Sequence, residues 1–203
     1  MPIKFLASKN TIVFGQTGVG KTHFILEVIR QKLIEPFPNV IYYMYNIEQD
    51  FMKTWNESED QEICFIKGLD FEKVISSKEN PAMVIIDDLV LSTNKSAAET
   101  FIYGSHHMSI SLFFLTQNLF YNCEFFRTMS KNSHYLMIFK NQRNFSQVMT
   151  IARQAGLTKR VKNAYKRACR LERGFIVLSY APELPEEITV VTDWWEPCPS
   201  VYL

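Results

Sequence analysis

Eight consecutive residues, Gly15-Gln16-Thr17-Gly18-Val19-Gly20-Lys21-Thr22, restrict this chain more than any other feature. They satisfy G-x-x-x-x-G-K-[ST] at every fixed position, a pattern that carries a mechanism only between a strand and a helix. Both flanks meet that condition. Residues 11–15 read as a strand ending in a glycine turn. Phe24, Ile25, Val28, Ile29 and Leu33 then recur at a spacing that makes one helix face apolar, and Pro36 and Pro38 stop that helix. The glycines let the backbone curl so that successive N–H groups point inward at phosphate oxygens, and the helix adds the positive end of its dipole. Lys21 is expected to reach the β- and γ-phosphates of ATP, and the Thr22 hydroxyl to ligate Mg2+.

The rest of the chain repeats the strand–helix theme. Strands are expected at 40–45, 63–66, 83–86, 110–115, 135–139, 175–179 and 188–191, with helices at 71–77, 97–107, 144–154 and 159–170. Residues 83–86, Met-Val-Ile-Ile, form a continuous apolar run, as a strand covered on both faces requires. Such alternation implies parallel pairing and an α/β sandwich in one domain, with a core over about 10–180 and a tail over 192–203.

Two acids follow the apolar run directly. Asp87 is placed where the strand emerges at its carboxyl end, the edge at which open α/β sheets bind ligands. It is read as the acid that positions Mg2+, and Asp88 as the general base for the attacking water. The strand at 110–115 ends in Thr116-Gln117-Asn118. Where an extra strand lies between the two that carry the phosphate loop and the acid, a polar residue there contacts the γ-phosphate, and Gln117 fits that role.

Composition narrows the class further. A hydrophobic share of 47% and a charged share of 21% suit a globular core and exclude disorder and collagen. Cys64, Cys123, Cys169 and Cys198 show no metal-ligand spacing, so scattered free thiols are expected. Residues 1–10 do not resemble a signal peptide, and no apolar run is long enough to span a membrane, which points to an intracellular protein. The net charge is +1, yet residues 159–173 hold seven cations against Glu172, a local +6 that leaves −5 elsewhere. That block is either a solvated helix face or a surface for a polyanion such as DNA.

Taken together, several segments resemble the genome-packaging ATPases of viruses and transposons in the FtsK–HerA lineage, of the poxvirus, Polinton and adintovirus type. They are Tyr45-Asn46 with Gln49, Phe65-Ile66-Lys67-Gly68-Leu69, and Val84-Ile85-Ile86-Asp87-Asp88-Leu89. Next come Gly104-Ser105-His106-His107, Ser111-Leu112-Phe113-Phe114-Leu115-Thr116-Gln117-Asn118-Leu119-Phe120, and Arg127-Thr128-Met129-Ser130 with Asn132 and Tyr135. The last is Phe139-Lys140-Asn141-Gln142-Arg143, followed by Gln147 and Gln154.

The resemblance implies a three-layer P-loop NTPase of the RecA-like, ASCE type, with a mostly parallel central sheet flanked by helices. It further implies a homo-oligomeric ring of five or six subunits that hydrolyses ATP and draws double-stranded DNA into a capsid. The partners implied are capsid vertex or portal proteins, and the location is the viral assembly site in the host cytoplasm or nucleus, or the virion. An arginine of one subunit would complete its neighbour's site, with Arg127 and Arg143 as the two candidates. Members often carry Pro and Asp where this chain has Gln142 and Asn144, which weakens the case for Arg143. Residues 192–203 match nothing in the family, and Trp194, Trp195 and Tyr202 are expected to pack on the core or on a neighbour. A nucleotide kinase, a helicase and a non-hydrolysing ATP switch are the competing readings.

Overall fold

A computed structural model describes residues 3–77, 81–92, 95–120, 124–141, 143 and 145–203. Cys123, Gln142 and Asn144 lie outside that set, as does the side chain of His106. The elements run β1 (Phe5–Leu6), β2 (Asn10–Phe14), α1 (Lys21–Arg30), β3 (Ile34–Glu35), β4 (Val40–Tyr45), α2 (Phe51–Ser58) and β5 (Cys64–Lys67). They continue with α3 (Phe71–Ser77), β6 (Ala82–Asp87), α4 (Lys95–His107), β7 (Ile110–Thr116), α5 (Glu124–Lys131) and β8 (Tyr135–Phe139). The last are α6 (Phe145–Gln154), α7 (Thr158–Ala168), β9 (Phe175–Ser179), β10 (Val190–Thr192) and β11 (Ser200–Val201).

Nine strands form one sheet in the order β11-β10-β9-β8-β2-β7-β6-β4-β5, and β1 with β3 forms a small parallel pair beside it. From β5 to β8 every pairing is parallel. The strand β7 lies between β2, which enters the phosphate loop, and β6, which delivers Asp87. Alternation along each strand then sorts the core into two layers. Ile12, Phe14, Tyr42, Met44, Val84 and Ile86 face a layer that includes residues of α3 to α7. Val13, Ile41, Tyr43, Met83 and Ile85 face the opposite layer with α1 and the N-terminal strands. The α/β fold with a large, mostly parallel sheet between helices is therefore as expected.

At the other end the sheet departs from uniform parallel pairing. From β8 to β11 the strands are antiparallel. The cause is an even number of helical passes. The chain leaves β8 at the loop edge, descends through α6, turns at Gly156 with φ +70° and returns through α7, so β9 must start at the edge where β8 ended. Gly156 fits that turn because a residue without Cβ adopts the left-handed region without strain.

The C-terminal segment, expected to pack on the core or on a neighbour, is built into the sheet. Residues 190–192 and 200–201 supply β10 and β11, after a helical turn at Glu186–Thr189 that stands where strand was expected to begin. Trp194 is fully buried, stacked on Phe5 at 5.0 Å and edge-on to Tyr135 at 5.9 Å. Packing on the core, not on a neighbour, thus accounts for this indole.

Candidate functional site

The phosphate loop owes its shape to three glycines with different constraints. Gly18 and Gly20 have φ of +79° and +108°, where a side chain would be strained, and Gly20 caps α1 without any side-chain bond. Gly15 is instead demanded by space. A Cβ there would lie 2.7 Å from Val19 Cγ2 and 2.9 Å from Phe139 Cβ. Behind the loop α1 buries Phe24, Ile25, Val28 and Ile29 completely, and each such side chain contributes about 1.5–3 kcal/mol. The helix start, with its unpaired N–H groups, is thereby fixed at the loop.

Lys21 folds back over this turn. Its Nζ donates to the carbonyls of Gly15 at 2.6 Å and Gln16 at 3.0 Å. Burial pulls its ammonium below the usual lysine value, while Asp87 and Asp88 oppose that shift.

Asp87 ends β6 on the α1 side of the sheet, in phase with Met83 and Ile85. Its Oδ2 accepts from the Tyr43 hydroxyl at 2.7 Å and from Gln49 Nε2 at 2.8 Å. Burial raises the Asp87 carboxyl above its ordinary value, and these two bonds together with Lys21 hold the rise down. Burial, and then the Asp87 charge, push the Tyr43 phenol far up, so it stays a donor throughout the working pH range. Thr22 and Asp87 border one cleft, which gathers two hard oxygen donors of the kind Mg2+ takes. Among the described residues no cluster of three or more His, Cys, Asp or Glu side chains forms a cage, so a metal here would draw its other ligands from phosphate and water.

Asp88 leaves the strand in the left-handed region, φ +54°, which Asp tolerates better than most residues. Its N–H still donates to Leu115 O at 3.2 Å, and its Oδ2 accepts from Gln117 Nε2 at 2.6 Å. Gln117 follows the end of β7 directly, two residues beyond Leu115, which with Phe113 faces the α1 side. Lys21, Thr22, Gln49, Asp87, Asp88 and Gln117 border one cleft of about 550 Å3 at the carboxyl edge, together with Thr17, Gly18 and Gly20.

Not every expected residue enters the cleft. Arg127, in the first turn of α5, and Arg143, beyond the end of β8, are both exposed and neither lines it. The cationic block divides. Arg160 donates to the carbonyls of Tyr202 and Glu186, and Arg167 pairs with Asp193 at 3.0 Å, so both hold the C-terminal segment. Lys159, Lys162, Lys166 and Arg170 remain exposed. Sequence reasoning missed Tyr43 and gave Gln49 no role. Arg173, read only as part of the cationic block, lies beside the loop, its Cδ 3.5 Å from where a Cβ on Gly20 would be.

No protein-family model matches the sequence, and no curated protein does either. Solved structures do match the fold. The DNA-packaging ATPase B204 from Sulfolobus Turreted Icosahedral Virus is similar with a TM-score of 0.59 at 12% identity, over 97% of this chain and 98% of that one. The genome packaging NTPase B204 from Sulfolobus turreted icosahedral virus 2 in complex with ATP-gammaS gives 0.59 at 11% identity, over 97% of both chains. Its complex with AMPPCP gives 0.58 at 11%, again over 97% of both. At such identities the likeness shows a shared α/β fold.

Proposed function

We propose that this chain is a Mg2+-dependent ATPase that works as a ring and drives double-stranded DNA into a viral or transposon capsid. The convergence of Lys21, Thr22, Asp87, Asp88 and Gln117 on one cleft carries the ATPase reading. The packaging reading is supported by the end-to-end likeness to B204 and by the segments resembling FtsK–HerA packaging ATPases.

In this mechanism the loop amides and Lys21 neutralise the triphosphate, Lys21 exchanging its two carbonyl partners for phosphate oxygens. Thr22 and Asp87 would hold Mg2+, which when bound offsets charge on the β- and γ-phosphates. Asp88 takes the proton of the attacking water. Gln117, bonded to Asp88, orients that carboxylate and senses the γ-phosphate. Arg127 or Arg143 of a neighbouring copy neutralises the charge that develops on the transferred group. Lys162 and Lys166 contact DNA, while Arg167 leaves that role because Asp193 already pairs with it. Capsid vertex or portal proteins are the assembly partners.

The test is ATP hydrolysis with and without duplex DNA. Turnover should rise with duplex and the rise should fade as salt increases. Asp88→Asn should keep ATPγS binding while lowering turnover by at least about a hundredfold, the range of general base catalysis. Unimpaired turnover in Lys21→Ala or Asp88→Asn would refute the ATPase reading, and indifference to duplex DNA at low salt would refute the translocase.

A further inference from the structure

A second cavity, of about 470 Å3, opens at the same sheet edge, against Arg173, Phe175, Trp195, Glu196 and Cys198. Its place follows from the sheet. Phe175 pairs with Phe139 at the end of β8, and β8 in turn pairs with β2 just before the phosphate loop. Arg173 closes the gap, since its side chain and that of Phe139 are the atoms a Cβ on Gly20 would meet, at 3.5 and 3.7 Å. Trp195 is set by the first turn of α1, stacked on Phe24 at 5.1 Å and 26°, with Phe175 edge-on at 5.0 Å. The volume falls in the range of small-molecule pockets, and the lining combines an aromatic plane with a cation and carboxylates, as such pockets do.

We propose that this cavity takes the base and ribose of the nucleotide whose phosphates occupy the loop, with Trp195 as the stacking platform and Glu196 as a hydrogen-bond acceptor. The inference rests on the nucleotide reading of the phosphate loop. A triphosphate on the Lys21 side must lead its sugar and base away from the loop, and the neighbouring cavity past Gly20 supplies a rigid indole, which every base can stack on. The C-terminal segment, for which the family resemblance offers no counterpart, thereby gains a function. Arg167 and Arg160 tie it down so that Trp195 stays in place.

Cys198 allows a test without mutation. It is exposed, it lines the cavity, and it carries a free thiol, with the half-buried Cys64 and Cys169 as internal references. Alkylation of the full-length chain by N-ethylmaleimide is followed by peptide mass spectrometry, with radiolabelled ATPγS binding measured in parallel. At about 100 times its Kd, where ~99% of sites are filled, ATPγS should slow Cys198 modification about tenfold or more. Tripolyphosphate, which fills only the phosphate loop, should displace ATPγS yet leave Cys198 unprotected. Bound ATPγS that leaves Cys198 unprotected, or equal protection by both ligands, overturns the base site alone. Absence of ATPγS binding overturns the nucleotide reading itself. A second arm uses Trp195→Ala, expected to weaken ATPγS about tenfold with tripolyphosphate unchanged and with recovery in Trp195→Phe. An equal loss for both ligands would assign Trp195 to structure only and remove it from the site.

Discussion

Tyr43→Phe isolates one hydrogen bond at the heart of the proposed metal site. The phenol is fully buried, and its hydroxyl donates at 2.7 Å to a carboxylate that is itself buried. A hydrogen bond to a charged group in such surroundings is worth ~1.5–3 kcal/mol, and removing its donor leaves the acceptor short of a partner. Converted to an equilibrium, that is about 10- to 150-fold. The loss falls on Asp87, whose carboxyl then rises further and competes less well for a cation. Gln49 continues to donate to the same oxygen, so the effect should sit toward the lower end and should grow in Tyr43→Phe/Gln49→Leu. The assay is ATP turnover against free Mg2+ at fixed ATP. The half-maximal Mg2+ concentration should rise by roughly ten- to a hundredfold, as loss of a supporting partner of a metal ligand typically produces. Metal-free tripolyphosphate binding should stay as it was. An unchanged Mg2+ dependence would refute the assignment of Tyr43 as the residue that holds Asp87.

Gly15→Ala should destabilise the fold by about 1–3 kcal/mol in urea unfolding, the usual cost of overpacking, because the new methyl would sit 2.7 and 2.9 Å from Val19 and Phe139. Gly18→Ala meets no neighbour and suffers only from its left-handed φ, so the comparison separates crowding from strain. Asp87→Asn should stabilise the ligand-free protein. Burial raises the Asp87 carboxyl, so its ionised form costs stability, a cost absent below the ordinary carboxylate range and complete once pH has risen through the folded value. Thermal melts should therefore show Asp87→Asn above the unmodified chain near about pH 8, with the gap closing toward about pH 4, while the stabilisation from Mg2+ and ATPγS is lost. A gap that widens on acidification would contradict this account.

Local signals in the sequence carried much of the nucleotide cleft. Gly15 to Thr22 declared themselves by spacing, and Asp87 and Gln117 by following apolar runs. Tyr43 could not be chosen in that way. Residues 40–45 offer Tyr42, Tyr43 and Tyr45, and although the pairing of β4 with β6 sets Tyr45 opposite Asp87, it is the Tyr43 hydroxyl that reaches the carboxylate. Register between strands distant in sequence leaves no local trace. The two eight-residue helices α2 and α5 escaped notice because their amphipathic pattern spans little more than two turns. The C-terminal segment, broken by Pro197 and Pro199, reads as loop. Its indoles are ordered by partners such as Phe5 and Phe24 at the far end of the chain.

The position of β7 restricts how a chemical event could become mechanical work. It is paired over five residues with β2 and over six with β6, so it cannot slip without tearing a ladder on both sides. The sheet is a stiff plate, and loss of a γ-phosphate beside Gln117 cannot be transmitted by sliding strands. In the proposed mechanism what moves must be the turns that leave the plate along its carboxyl edge. There Ile47, Leu91 and Phe120 stand 77%, 91% and 46% exposed, so apolar levers project from the edge at which the proposed hydrolysis would occur.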